Sequence, residues 1–98
     1  MFLPDAQENL ARFSARDQTF LLDEIDRQLL HEPDRQTRNR KPLRQPAVLA
    51  EAWELRFGPD NRFRVFYRVM SEQQEVHILA VGDKRGSRLK IGKEEFEL

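Results

Sequence analysis

The stretch Trp53-Glu54-Leu55-Arg56-Phe57-Gly58-Pro59-Asp60-Asn61-Arg62-Phe63-Arg64-Val65-Phe66-Tyr67-Arg68-Val69 decides the fold. Trp53, Leu55 and Phe57 alternate with Glu54 and Arg56, and Phe63, Val65, Tyr67 and Val69 alternate with Arg64, Phe66 and Arg68. Apolar residues at period two mark half-buried strands, because side chains two apart share a face of a pleated strand. Gly58-Pro59-Asp60-Asn61 between them has turn chemistry, with Pro presetting φ and Asp and Asn tolerating the left-handed region. The segment therefore reads as a β-hairpin with one apolar face. The other face carries Glu54, Arg56, Arg64 and Arg68, with Arg56 and Arg64 close enough to grip one anion.

Further along the chain, Ser71 to Gln74 form another turn. Val76 to Val81 is almost continuously apolar, as expected of a central strand buried on both faces. Gly82-Asp83-Lys84-Arg85-Gly86 ends that run, and Arg88 to Ile91 can form a last short strand. Toward the N-terminus, residues 33 to 46 have no apolar period and read as a loop that delivers Arg35, Arg38, Arg40, Lys41 and Arg44. Before the loop, Ser14 with Asp17 three residues on predicts a capped helix with Phe20, Leu21, Leu22, Ile25, Leu29 and Leu30 as its apolar face, stopped by Pro33. Pro4 suits the first turn of an earlier helix whose stripe is Ala6, Leu10 and Phe13. The expected fold class is α+β. A helical hairpin packs on one face of a small antiparallel meander, in a single domain over residues 1–98.

Composition narrows the function classes. Cysteine is absent, which removes disulfides and thiolate metal sites. No apolar run approaches the ~18–20 residues that span a bilayer. Met1 to Asp5 does not have the form of a secretory signal, so a cytoplasmic location is expected, away from membranes. The formal net charge of +0 conceals a segregation. Before Arg35 there are three basic and eight acidic residues, a balance of −5; from Arg35 onward there are fourteen and nine, a balance of +5. The second half thus offers a cationic surface to a polyanion, although basic stretches are more often plain solvated faces. His31 belongs at a helix end and His77 stands alone in a strand, so no metal site or cofactor is expected.

Asn39-Arg40-Lys41-Pro42-Leu43-Arg44, Trp53-Glu54-Leu55-Arg56-Phe57-Gly58, Phe63-Arg64-Val65-Phe66-Tyr67-Arg68-Val69 and Val76-His77-Ile78-Leu79-Ala80-Val81-Gly82, in that order, resemble the RelE/ParE toxins over about positions 5 to 97. The resemblance implies the toxin of a type II toxin–antitoxin system, neutralised by a cognate antitoxin in a toxin–antitoxin hetero-oligomer. RelE-like members cleave mRNA on the ribosome and block translation, and this endoribonuclease activity is the expectation for the chain; in the alternative, ParE-like members inhibit gyrase without cleaving RNA. A degenerate relative would only bind its antitoxin. The chain departs from the pattern in two places. Only Phe2 and Leu3 precede Pro4, so the family's first strand is missing or vestigial. Lys90 stands where RelE-type nucleases place a tyrosine, and a cluster that is usually Lys-x-Lys reads Glu54-x-Arg56.

Metal-free RNA cleavage needs a base for the 2′-hydroxyl, an acid for the leaving oxygen and cations for the phosphoryl oxygens. Guanidinium groups suit the last task because they bind phosphate bidentately and stay charged. The catalytic candidates are Arg56 and Arg64 on the phosphate, Lys84 or Lys90 at the leaving group, and Glu54 as base. The plainer reading of Glu54 is an ion pair with Arg56 or Arg64. Arg38, Arg40, Lys41 and Arg44, with Arg85 and Arg88, are the candidate RNA-backbone contacts, though the loop has no aromatic to stack a base.

Overall fold

The structure is a computed structural model, and it describes residues 1–43 and 51–97. Helices α1 (Pro4–Ala11) and α2 (Ala15–Leu29) lead into strands β1 (Arg40–Pro42), β2 (Ala52–Phe57), β3 (Phe63–Met70), β4 (Glu75–Arg85), β5 (Arg88–Ile91) and β6 (Glu94–Glu97). The strands form one antiparallel sheet in sequence order. Leu21, Ile25 and Leu29 of α2 and Ala6 of α1 share a core with Leu55, Phe57, Phe63, Val65, Tyr67, Ile78 and Val81 of the sheet. The helices thus cover one face, as the alternation of the hairpin requires.

Local chemistry explains the helix boundaries. Pro4 occupies the first turn of α1, and the Ser14 hydroxyl accepts from the Asp17 N–H at 3.1 Å to cap α2. The buried stripe of α2 is narrower than the sequence suggests. Leu21, Ile25 and Leu29 are buried at spacings of four, while Phe20, Leu22 and Leu30 are exposed. Tyr67, fully buried, donates its hydroxyl to the Pro33 carbonyl at 2.7 Å and stacks on Trp53, tying the segment after α2 to the sheet.

Three expectations need correction. The segment 33–46 is not wholly loop, because Arg40–Pro42 pairs with β2. Gly82 does not end the fourth strand, which continues to Arg85 before turning at Gly86. The acidic C-terminal residues form an edge strand, β6, paired with β5. The physical reason is common to all three: partner strands supply hydrogen bonds that a single segment's apolar period does not reveal.

The first strand is vestigial. Phe2 makes a single parallel bridge to Ile78, with the Ile78 N–H donating to the Met1 carbonyl at 2.8 Å and the Leu3 N–H to the Ile78 carbonyl at 3.0 Å. Past that point β4 would present an unpaired N–H until β5 joins it. Asn9 fills the gap: its Oδ1 accepts from the Val81 N–H at 3.0 Å. Asn9 is 8% exposed, a polar residue on the inner side of α1 that the stripe of Ala6, Leu10 and Phe13 does not include. Leu79 is an extra residue against β3, since Phe66 faces Ala80 and Tyr67 faces Ile78. The bulge lets Ile78 and Val81, three apart, both reach the helical side.

Candidate functional site

The sheet register places Arg56 directly opposite Arg64 on the face away from the helices. The Arg56 backbone bonds outward to Asn39, through Arg56 N–H to the Asn39 carbonyl and Asn39 Nδ2 to the Arg56 carbonyl, each at 2.8 Å. Arg56 and Arg64 are therefore a non-hydrogen-bonded pair, the arrangement in which facing side chains come closest. Two like charges so placed repel. Glu54, two residues back on the same face, resolves the conflict. Its Oε1 accepts from Arg56 Nε at 2.6 Å and its Oε2 from Arg64 Nη1 at 3.4 Å, with Lys41 Nζ 3.9 Å from Oε1.

This cluster lies deeper than the open, solvated face expected from the sequence. Glu54 is 6% exposed and Arg64 5%, and Ala52 and Phe66 on the same face are also buried. Burial pulls the Arg64 guanidinium below its ordinary pKa; Glu54 opposes the shift and Arg56 adds to it. Arg64 also donates Nε to the Asn61 carbonyl at 3.1 Å, so the turn of the hairpin and its outer face are joined through one side chain. Three cations surround one carboxylate, leaving the patch positive. The accessible charge resides on Arg56 and Lys41 rather than Arg64.

Lys84 shares this face, two residues beyond Gly82, which pairs with Arg64. Lys90 does not. It pairs with Asp83, whose other neighbour is Phe63 of the core, and so stands on the helical side. The grouping of Lys90 with Arg56, Arg64 and Lys84 is corrected accordingly, because the register of β5 sets its parity. Arg40 is also displaced from the expected solvent-facing set. Opposite the core residue Leu55 it points inward, 8% exposed, and donates Nη1 to the Glu32 carbonyl at 2.9 Å beyond the end of α2. Arg38 is exposed, and Arg44 lies outside the described residues. Arg85 and Arg88 pair across β4 and β5 at the far end of the sheet, where Arg85 meets Asp83 at 3.4 Å and Arg88 meets Glu95 at 3.6 Å.

Arg62, to which the sequence pattern assigns no role, links three elements. It donates Nε to Asp83 at 2.9 Å and reaches Asp17 of α2 at 3.3 Å, with its guanidinium 4.6 Å from the centre of the Phe63 ring. Hydrogen bonding to Asp83 is the main cause raising its pKa, against partial burial. Nothing in the local pattern distinguishes it from an ordinary turn arginine. Among the described residues no group of three or more His, Asp or Glu side chains could hold a metal ion. None of the described helices is long and apolar enough to cross a membrane.

Over residues 2–87 the chain matches a family model described as the ParE toxin of the type II toxin–antitoxin system parDE. It is also similar to a chain in the crystal structure of the toxin–antitoxin complex RelBE2 from Mycobacterium tuberculosis. That similarity has a TM-score of 0.64 and 28% sequence identity, covering 87% of this chain and 94% of the other. No curated protein matches the sequence.

Proposed function

Because the chain belongs to the ParE toxin family of type II toxin–antitoxin systems, we propose that it is a cytoplasmic, single-domain toxin held inactive by a co-encoded antitoxin, and that it stops growth by binding its target rather than by cutting RNA. Gyrase is the target this reading selects. The observation that supports it is the state of Glu54. A general base must reach the proton it removes with an oxygen that is not already engaged. Glu54 is buried, and both its oxygens are held by arginines. Of the two lysines considered for the leaving group, Lys90 stands on the opposite side of the sheet and only Lys84 shares the face of Glu54.

One observation favours the ribosome-dependent mRNA endoribonuclease instead: Lys41, Arg56 and Lys84 form a positive outer face that suits an RNA backbone. The two readings separate in a pair of assays. The purified chain is added to a gyrase supercoiling reaction, and mRNA cleavage is mapped in a translation extract beside Arg64→Ala. Lost supercoiling with intact message is the expected result. Cleaved message that Arg64→Ala leaves intact would replace this reading with the nuclease. Growth arrest on expression, relieved by the neighbouring small open reading frame, tests the shared toxin role. An unaffected culture would sink both.

A further inference from the structure

On the helical side of the sheet, the face opposite the Glu54 cluster, α1 and the end of β5 enclose a cleft of ~190 Å³ lined by Asn9, Arg12, Phe13, Asp83, Lys90 and Gly92. Its floor has a fixed polarity. The Val81 N–H is a donor, so the Asn9 atom facing it must be the carbonyl oxygen, and this orients the amide nitrogen. That nitrogen has no acceptor among the described residues, and because no buried side-chain nitrogen or oxygen among them lacks a partner, it opens to the solvent of the cleft. It stays uncovered because Gly92 follows β5: a Cβ there would lie 3.0 Å from Asn9 Nδ2. Arg12 and Lys90 flank the cleft, and neither has a carboxylate within ion-pair distance among the described residues. Asp83, the one acid in the lining, is already held by Arg62 at 2.9 and 3.2 Å and by Arg85 at 3.4 Å.

A solvent-facing amide with two N–H donors, between two cations that have no ion pair among the described residues, is complementary to an anion with several oxygens. We propose that this cleft binds a phosphate group, either as the free ion or as the phosphate of a nucleotide. Arg12 and Lys90 supply charge, and Asn9 supplies directed hydrogen bonds from the floor. The site is independent of the outer-face cluster and does not rest on the choice between gyrase and RNA. It also gives Lys90 a role on the side where the sheet register puts it.

The test is an NMR titration of the full-length chain with inorganic phosphate at constant ionic strength, following the Asn9 side-chain NH₂ and the Gly92 amide. Adenosine 5′-monophosphate and adenosine form the second arm. Saturable shifts at both positions with phosphate are expected. Asn9→Asp preserves the acceptor for Val81 while replacing the donor, and Lys90→Met removes one charge. Each should weaken binding about tenfold, the loss expected for one charge-assisted hydrogen bond. Should Asn9→Asp fail to fold, Lys90→Met carries the comparison. Shifts with the monophosphate at the same positions identify a nucleotide source, and shifts with inorganic phosphate alone identify the free ion. Three results overturn the proposal: no saturable shift with phosphate, equal shifts with adenosine, or unchanged affinity in the folded variants.

Discussion

Removing the carboxylate of Glu54 should destabilise the protein far more than removing a surface acid. In Glu54→Ala, Arg64 retains, among the described residues, only its bond to the Asn61 carbonyl and faces Arg56 across the strand pair without the carboxylate between them. Breaking a buried pair on one side costs about 3–5 kcal/mol. Arg56, with its side chain 32% exposed, can turn into water, so most of the cost comes from Arg64, at 7%. We therefore expect about 3 kcal/mol for the alanine variant. Glu54→Gln keeps one acceptor but sets an N–H₂ against a guanidinium, and should cost about 2 kcal/mol. Urea unfolding measures both: with a slope of ~1.5 kcal/mol/M, the alanine midpoint falls by about 2 M. The loss should persist at high salt, because buried pairs are poorly screened. Pairing Glu54→Leu with Arg64→Met should restore part of the loss, since an apolar replacement of both partners leaves no stranded charge. Midpoints within about 0.3 M of the parent in both single variants would refute the reasoning. In that case Glu54 would be free to serve chemistry.

Tyr67 has its pKa raised by burial, so the folded state resists ionisation of the phenol. Its contribution is complete below the unfolded pKa of ~10 and is lost as pH rises from there toward the higher folded value. Stability measured by urea should fall more steeply above pH ~10 in the parent than in Tyr67→Phe, which should cost about 1 kcal/mol at neutral pH. Gly82→Ala would place a Cβ 2.9 Å from Leu89 Cδ1 and 3.2 Å from the Lys90 carbonyl. About 1–3 kcal/mol should be lost, read as a lower thermal midpoint, and an unchanged midpoint would mean that β5 shifts freely. Arg40→Met should cost about 1–2 kcal/mol by freeing the Glu32 carbonyl, whereas an unchanged urea midpoint would deny Arg40 its structural bond. Ser14→Ala should cost about 1 kcal/mol through the lost cap of α2, also by urea.

Alternation was enough to determine the hairpin and its faces, because a strand's side-chain period of two leaves Trp53, Leu55 and Phe57 no choice but to share a side with Phe63, Val65 and Tyr67 once the turn is short. The same reasoning put Arg56 and Arg64 together from sequence alone. Two helices on one face followed from the Ser14 cap, the Pro4 start and the apolar spacing of α2. What the tertiary structure alone decided is parity wherever strands lack a tight local turn or carry a bulge. The extra residue at Leu79 turns Ile78 and Val81 to one face, and the pairing of β5 with β4 carries Lys90 to the helical side. Pairing with β2 likewise turns Arg40 inward. Burial of Glu54 and the orientation of Asn9 are also beyond the sequence. Both depend on which distant backbone or charge meets them, and local periodicity carries no information about partners brought in from elsewhere in the chain.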